Sequence, residues 1–198
     1  MPIITDLKPQ RRAGFINVLV DGEFACGLSD YHVALYGLHV GDEVSAEQVA
    51  EFKDRSIESK AYAAALRYIS YRIRSVGEVR TYLLRKEYDS HLVDSLLQRL
   101  QLEKYLNDDD FTGRWIQMRL EQNRSLATIR SELMQKQINR DTIAEYLSQV
   151  DSGVVHAQIL QLVQKKRSHY ATLEKLIQYL LRKGFRYSDI QKALSDIE

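Results

Sequence analysis

The densest group of acidic side chains in the sequence is the stretch NDDDF, which runs from Asn107 to Phe111. Three consecutive aspartates offer the oxygen ligands that divalent cations prefer, and a hydrolase could use Asp108 to Asp110 in that way. The same residues stand where a helix must begin, and aspartate is favoured at the N-cap and in the first turn of a helix. We favour the capping role, because no base or further ligand accompanies these aspartates in a recognisable motif.

Other residues capable of catalysis or metal binding are scattered along the chain. The sequence contains no glycine-rich phosphate loop and no G-x-S-x-G motif. Its single cysteine, Cys26, excludes an intrachain disulfide and a thiolate metal cluster, and its alternating context indicates a small core residue. The histidines are dispersed, and no two of them are four residues apart, as two histidine ligands on one helical face would be. They are His32, His39, His91, His156 and His169. We therefore predict a protein that is not an enzyme, with no catalytic residue, no metal and no cofactor.

Basic side chains form a second pattern with chemical meaning. Arg67, Tyr71 and Arg74 are spaced i, i+4 and i+7, which places them on one exposed face of a predicted helix. A basic face that carries an aromatic ring can bind an acidic protein or a nucleic-acid backbone. A solvated helix face is the alternative for each residue taken singly, but a repeated basic surface favours an elongated anionic partner. The candidate contact residues are Arg67, Tyr71, Arg72, Arg74, Arg80, Arg124, Arg130, Lys165, Lys166 and Arg167.

Charge is unevenly distributed, although the 28 basic and 27 acidic residues almost cancel to a net charge of +1. Residues 1–59 and 87–110 each carry a net charge of −5, residues 60–86 carry +6, and the remaining residues carry +5. No global field therefore indicates a nucleic-acid partner. A charged partner would instead meet alternating blocks of charge.

No apolar run approaches the roughly 18–20 residues that a membrane-spanning helix needs. The N-terminal stretch MPIITDLKPQ lacks the basic start and the apolar core of a signal peptide. We expect a cytoplasmic protein that does not bind a membrane.

The elements that must position these side chains follow from an internal repeat. The pentapeptide YLLRK occurs twice, at Tyr82–Lys86 and at Tyr179–Lys183. Offsets of 50 and then 47 residues align three copies of one pattern of apolar and basic positions, and each copy has room for three helices. The second and third copies align Ile129 with Leu176, Leu133 with Leu180, Lys136 with Lys183, Ile138 with Phe185, Ile143 with Ile190, and Leu147 with Leu194.

The YLLRK element is predicted to end the middle helix of each copy. Gly184 can adopt the left-handed conformation after the helix, and Phe185 can then contact Leu180, as a Schellman cap requires. Glu87 and Gln137 occupy the glycine position in the other copies, at a cost of about 1 kcal/mol each. The predicted N-caps of the third helices are Asp89 or Ser90, Asn139 and Ser188.

The first 58 residues predict a small β-containing module. The dipeptide Asp21-Gly22 separates two apolar runs and indicates a two-residue hairpin, to which the stretch IITDLK can add a third strand. A short helix should end at Gly37, and Ser45 with Gln48 forms the pattern of a capping box. The predicted fold is mainly α, with this module at residues 1–58 followed by three-helix repeats at residues 59–107, 108–150 and 151–198.

Two stretches of this sequence resemble the RecX family of bacterial regulatory proteins. They read LRYISYRIRSVGEVRTYLLRKEY and LLQRLQLEKYLNDDDFTGRWIQMR. The family pattern is approximately A-L-x-x-L-x-x-R-x-R-S-x-x-E-L-x-x-x-L, followed by L-x-x-x-x-[LI]-[ND]-D-x-x-[FY]. Glu87 replaces the family's usual glycine before the aromatic residue, which weakens that cap. The matching residues are Arg72, Arg74, Ser75, Glu78, Leu83, Leu106, Asn107, Asp108 and Phe111.

The resemblance covers about residues 60–198, and the N-terminal module resembles an extension of some longer members. It implies three tandem three-helix units in an elongated, curved array. It also implies a monomer that binds the RecA recombinase filament and limits its recombinase, ATPase and co-protease activities during DNA repair and the SOS response. Some family members are also said to contact single- or double-stranded DNA.

A helical DNA-binding protein, similar to a transcriptional regulator, is the alternative from another functional class. Three-helix units can place a recognition helix in a DNA groove. That alternative implies duplex binding with a sequence preference and a two-fold dimer, whereas the filament hypothesis implies binding to RecA.

Overall fold

The computed structural model describes residues 1–11 and 13–196, which form three strands and ten α-helices. The strands are β1 (Ile4–Pro9), β2 (Phe15–Val20) and β3 (Glu23–Ser29). The helices are α1 (Asp30–Tyr36), α2 (Ala46–Ser70), α3 (Val76–Leu84), α4 (Ser90–Leu102), α5 (Asp108–Glu121), α6 (Leu126–Gln135), α7 (Arg140–Ser148), α8 (Ser152–Lys166), α9 (Leu173–Arg182) and α10 (Tyr187–Ser195). The mainly α fold with a small N-terminal sheet is therefore confirmed. Within the described ranges, every helix is too short or too polar to span a bilayer.

The chain divides into two compact units. The first unit contains Met1–Arg72 and Tyr82–Arg99, and the second contains Ile73–Thr81 and Leu100–Glu198. The chain passes between the units three times: after Arg72, within α3 and within α4.

The N-terminal sheet of the first unit is antiparallel in the order β1-β2-β3. The predicted hairpin is confirmed, because Asp21 and Gly22 have φ angles of 50° and 84°, and the type I′ turn of a two-residue hairpin requires φ to be positive at both positions. Ser56 on α2 donates a hydrogen bond of 2.6 Å to the carbonyl of Gly27 on β3. The core of this module comprises Ile4, Val18, Cys26, Leu28, Val44 and Phe52.

The helix caps of the module also match the sequence. Ser29 accepts a hydrogen bond from the backbone N–H of His32, and Gly37 ends α1 with a φ of 60°. Ser45 and Gln48 form the predicted capping box at the start of α2. Helix α2 then continues for 25 residues, across the expected module boundary after residue 58. The four domain limits remain predictions.

Helix α2 ends earlier than its apolar spacing predicts. In the sequence, Tyr62, Ala65, Leu66, Ile69 and Ile73 follow the spacing of one helical face, but the helix stops at Ser70 and Ile73 is 37% exposed. The buried face of this part of α2 consists instead of Ala61, Ala64 and Ala65. A helix face lined by alanines can approach neighbouring elements more closely than a face lined by larger side chains. The face with these three alanines is therefore the buried face of α2.

The second unit contains two complete three-helix repeats, α5–α7 and α8–α10. The apolar positions aligned by the offset of 47 are buried in both repeats, as predicted. The core of the earlier repeat comprises Phe111, Trp115, Ile116, Ile129, Leu133, Ile138, Ile143 and Leu147. The core of the later repeat comprises Val155, Ile159, Val163, Leu176, Leu180, Phe185, Ile190, Ala193 and Leu194.

The predicted Schellman cap closes all three middle helices, α3, α6 and α9. Glu87, Gln137 and Gly184 have φ angles of 63°, 62° and 84°. The two characteristic hydrogen bonds of the cap are present each time. The longer-range bond runs from the N–H of Tyr88 to the carbonyl of Leu83 (3.4 Å), from Ile138 to Leu133 (3.1 Å) and from Phe185 to Leu180 (3.2 Å).

The predicted N-caps of the third helices are confirmed in two of the three repeats. The side chain of Asp89 accepts hydrogen bonds from two N–H groups of α4, and Asn139 accepts one from α7. The prediction of Ser188 is wrong, because α10 begins at Tyr187 after Arg186, so Ser188 already lies within the helix.

Consecutive middle helices of the second unit meet end to end through a buried serine. Ser75, before α3, donates a hydrogen bond of 2.8 Å to the carbonyl of Lys136, the C-cap of α6. Ser125, before α6, donates one of 2.7 Å to the carbonyl of Lys183, the C-cap of α9. We call these contacts the first joint and the second joint. Each serine also accepts a hydrogen bond from the N–H three residues later, so it caps its own helix.

Glycine lies at both joints, but on opposite sides of the contact. A Cβ added to Gly77 would lie 2.5 Å from the Cβ of Gln137. At the second joint the positions are exchanged, and a Cβ added to Gly184 would lie 3.4 Å from the Cβ of Ala127 and 2.6 Å from the hydroxyl of Ser125. The Schellman cap of α6 has Gln137 where that of α9 has glycine, and the glycine of the first joint lies on the facing helix, at Gly77.

We expect Glu87→Gly to raise the free energy of unfolding by about 0.5–1 kcal/mol, because glycine adopts a positive φ with little strain. Gly184→Ala should lower it by more than about 1 kcal/mol, since it adds strain and a clash with Ser125. Gly14→Ala is the matched control, because Gly14 has a φ of 81° in open space. Urea denaturation measures all three, and equal losses for Gly184→Ala and Gly14→Ala would show that the joint tolerates a methyl group.

We expect Ser75→Ala to lower the free energy of unfolding by about 2 kcal/mol, because it removes an N-cap and leaves the carbonyl of Lys136 without its buried donor. Ser125→Ala should cost less, because the hydroxyl of Thr128 also reaches the carbonyl of Lys183, at 3.2 Å. Ser45→Ala, which removes only an N-cap, should cost about 1 kcal/mol. Thermal and urea denaturation measure these losses. Equal losses of unfolding free energy for Ser75→Ala and Ser45→Ala would contradict a structural role for the joint.

Candidate partner-binding site

The acidic stretch at the start of α5 serves to cap helices. Asn107 is the N-cap and accepts hydrogen bonds from the N–H groups of Asp109 and Asp110. Asp108 accepts one of 2.9 Å from the N–H of Val76 at the start of α3. Burial raises the pKa of the Asp108 carboxyl, and the bond from Val76 opposes that shift. Among the described residues, no group of three or more His, Cys, Asp or Glu side chains is placed to hold a metal.

The first joint is surrounded by charges that neutralise one another. Lys136 forms a salt bridge of 2.8 Å with Glu78, and the two side chains are only 15% and 16% exposed. Glu132 accepts hydrogen bonds from Arg119 at 2.6 Å and from the indole of Trp115 at 3.0 Å. Lys136 and Arg119 also lie over the Trp115 ring, each about 4 Å from its centre. This cluster is a closed arrangement of two cations and two acids around a buried tryptophan.

The second joint borders a cleft of about 370 Å³ with a different chemistry. Three of its side chains are cations, Arg124, Arg182 and Lys183. The other lining residues are Asn123, Thr128 and Tyr179, so none of the described residues that line this cleft is acidic. Lys183 lies 5.7 Å from the centre of the Tyr179 ring. We call this cleft the cationic groove.

The predicted contact residues of the first unit are exposed. Arg67 lies in the last turn of α2, Tyr71 is its C-cap and Arg72 follows. The Tyr71 side chain is 77% exposed. These three exposed residues lie together around the end of one helix.

Two predicted contact residues of the second unit are less exposed than expected. Arg74 was predicted on the helical face of Arg67, but α2 ends at Ser70, so Arg74 lies in the segment before α3 and is half-buried. Arg80 lies on α3 and is also half-buried. The predicted helical face is therefore wrong at Arg74, because the chain must leave the helix to place Ser75 at the first joint.

The remaining candidates lie at two further places. Arg124 lines the cationic groove, whereas Arg130 lines a separate cleft of about 360 Å³ together with Arg186 and Asp189. At the end of α8, Lys165 and Arg167 are exposed and Lys166 is half-buried.

The prediction missed Arg182 and Lys183, although both belong to the YLLRK element. The signal was present in the repeat alignment, because Glu78 and Glu132 beside the first joint align with the neutral residues Thr128 and Tyr179 beside the second. The prediction also missed a tyrosine pair in the first unit, where the rings of Tyr68 and Tyr82 stack at 4.1 Å with Lys86 at 5.4 Å from the Tyr82 ring. Residues 14 apart in sequence on two helices gave no periodic signal for that contact.

We expect Glu78→Gln to lower the free energy of unfolding by about 1–3 kcal/mol, because it leaves the mostly buried ammonium of Lys136 without its carboxylate. The control is Glu51→Gln, which removes a carboxylate 4.0 Å from Arg55 at an exposed position. That change should cost less than about 1 kcal/mol. Equal effects of the two substitutions on the urea midpoint would contradict the closed cluster.

Comparison with known families matches residues 61–100 to the family model described as RecX, first three-helix domain. The chain is 35% identical over 152 residues to regulatory protein RecX of Lactobacillus johnsonii, covering 76% of this chain and 56% of that protein. It is 35% identical over 170 residues to the RecX of Lactobacillus gasseri, covering 81% of this chain and 63% of the relative. It therefore spans less than two thirds of these two relatives. The RecX of Bacillus pumilus is 28% identical over 204 residues, which cover 99% of this chain and 78% of that protein.

Two solved structures share the fold. A crystal structure of regulatory protein RecX has a TM-score of 0.79 at 22% identity, covering 98% of this chain and all of the other. The crystal structure of RecX from Lactobacillus salivarius has a TM-score of 0.65 at 23% identity, covering 71% of this chain and 96% of the other.

Proposed function

We propose a function from one premise, which is that the chain belongs to the RecX family of regulatory proteins. The proposed function is non-catalytic binding to the RecA recombinase filament. Binding would lower the recombinase, ATPase and co-protease activities of RecA in DNA repair and the SOS response. Family membership is the observation that carries the proposal, because the name of the relatives describes a regulatory protein and the resemblance implies RecA as the target.

The surface of the first unit supports a protein partner. Arginine and tyrosine are the side chains that most often dominate the binding energy of protein interfaces. Arg67, Tyr71 and Arg72 present both types together at the end of α2. An acidic surface on the partner would complement them and would increase the rate of association.

The repeat architecture of the second unit supports a polymeric partner. The same serine contact joins consecutive middle helices, so structurally equivalent positions recur from one repeat to the next. A filament presents identical subunits at a fixed interval. A protein of repeats can therefore engage several subunits with several weak contacts, whose effects multiply.

Wild-type protein added to RecA on single-stranded DNA should lower the rate of ATP hydrolysis at or below one molecule per RecA monomer. The double variant Arg67→Glu/Tyr71→Ala should need at least about tenfold more protein for half-inhibition, which corresponds to roughly 1.4 kcal/mol of binding free energy. Both residues are exposed, so the helical circular dichroism should not change.

The matched control is Arg140→Glu, an identical charge reversal at an exposed position outside the candidate set. It should inhibit like the wild type. Absence of inhibition by saturating wild-type protein would overturn the RecA proposal. Normal inhibition by the folded double variant would instead show that the end of α2 does not contact RecA.

A further inference from the structure

We propose that the start of α9 is the open half of a further joint, and that it accepts the C-terminal turn of a helix from a partner molecule. The partner helix should end in an acidic residue that is followed by glycine. The surface comprises residues 172–175 of the third repeat, and we call it the open half-joint. The first and second joints show which contacts such a surface makes.

Thr172 occupies the place in the third repeat that Ser75 and Ser125 occupy in the other two. The repeat offsets align these three residues, and each hydroxyl accepts a hydrogen bond from the N–H three residues later. Ser75 and Ser125 are 0% and 2% exposed, whereas Thr172 is an exposed residue. Within residues 1–11 and 13–196, the Thr172 hydroxyl donates no hydrogen bond. It is therefore a joint donor that lacks an acceptor carbonyl in this part of the chain.

The residue after the donor is apolar in each repeat, but it is exposed in the third. Leu126, which follows Ser125, packs against the cores of both the second and the third repeat. Val76, which follows Ser75, is half-buried. Leu173 follows Thr172 and is 47% exposed. A helix end that docked on the open half-joint would therefore remove an apolar side chain from water.

Glu174 restricts the docking turn to glycine. Its place is held by Gly77 at the first joint and by Ala127 at the second. Each of these faces the residue of positive φ in a Schellman turn, which is Gln137 opposite Gly77 and Gly184 opposite Ala127. Cβ atoms on both residues of the first pair would lie 2.5 Å apart, which is a clash. Because Glu174 has a side chain, the turn that faces it needs glycine, as the turn that faces Ala127 has.

Lys175 selects an acidic residue at the end of the partner helix. At the first joint, the third residue after the donor is Glu78, and it forms a salt bridge of 2.8 Å with Lys136, the C-cap of the docked helix. Lys175 holds the place of Glu78 with the opposite charge. A carboxylate at the C-cap of the partner helix would pair with its ammonium group, whereas a cation there would be repelled.

The Schellman turn after α3 does not fit the open half-joint of a second copy of this chain. This turn carries Lys86 and Glu87 at the positions of Lys136 and Gln137, and both side chains are exposed. In a head-to-tail contact between two copies, Lys86 would face Lys175 and Glu87 would face Glu174. Both pairs carry like charges, and Glu87 would place a side chain where glycine is needed. The open half-joint therefore discriminates against a second copy and favours a turn of opposite charge.

The chain can itself carry the matching turn as the probe. The variant Lys86→Glu/Glu87→Gly gives the turn after α3 the acidic residue and the glycine that the open half-joint should accept. Sedimentation equilibrium of this variant should show a mass that rises with concentration, because a head-to-tail contact leaves an unused surface at each end of the assembly. The wild type should keep the mass of one chain at the same concentrations.

The reciprocal variant is Glu174→Gly/Lys175→Glu, which gives the open half-joint the glycine and the acid of the first joint. It should also associate, because the unchanged Lys86 then meets a carboxylate. Combining all four substitutions brings two carboxylates together and should abolish association. Thr172→Val, added to either pair, should weaken association about tenfold, because it removes the donor and keeps the shape of the side chain.

The matched control for the first variant is Glu87→Gly/Arg140→Glu, which has the same net charge and the same glycine but keeps Lys86. Arg140 is exposed, and this control should keep the mass of one chain. The urea midpoint of each variant checks its folding, and the reciprocal variant tests the surface if the first one unfolds.

Association by neither paired variant would overturn the proposal. So would equally strong association by the wild type, by the combination of all four substitutions, or by the paired variants that carry Thr172→Val. Inhibition of RecA ATPase is a separate measurement, so failure of the open half-joint leaves the proposed function standing, and the reverse also holds.

Discussion

The hydrogen bond from a capping serine to the last carbonyl of the next middle helix is the constraint on which the second unit depends. The ends of a helix leave backbone groups without partners, and burying them is costly unless they are satisfied. Ser75 and Ser125 each provide hydrogen-bond partners to the ends of two helices. Each hydroxyl accepts a hydrogen bond from a backbone N–H of its own helix and donates one to a carbonyl at the end of the neighbouring helix. The Schellman cap makes this possible, because it turns the chain away and leaves the C-cap carbonyl accessible.

Close approach of two helix ends also determines which small residues are needed and where. The first joint has Gly77 facing Gln137, and the second has Ala127 facing Gly184. One member of each pair must lack a side chain, but either member will serve. A positive φ at Gln137 is retained without glycine because the burial of Ile138 and Leu133 on both sides of the turn holds the backbone there.

The two joints show how one architecture can carry different surfaces. In the first, Glu78 and Glu132 neutralise Lys136 and Arg119 around Trp115, so the charges hold the repeat together. In the second, threonine and tyrosine occupy the positions of the acids, and Arg124, Arg182 and Lys183 line a cleft. Repeats conserve the contacts that stack them, and the positions beside those contacts can then differ between copies and bind partners.

The sequence by itself determined the hairpin, most of the caps and the apolar positions of the repeat cores, because each of these is a local pattern of residues within a few positions of each other. Asp21-Gly22 and the YLLRK turn are of this kind, and Leu133 and Leu180 show the same local pattern recurring in successive copies. Only the tertiary structure decided that α2 ends at Ser70, that Arg74 is half-buried and that Arg124 lies beside Arg182 and Lys183. The physical reason is distance along the chain. The serine that organises the second joint meets its carbonyl 58 residues away, and the periodicity of a single helix carries no information about such a partner.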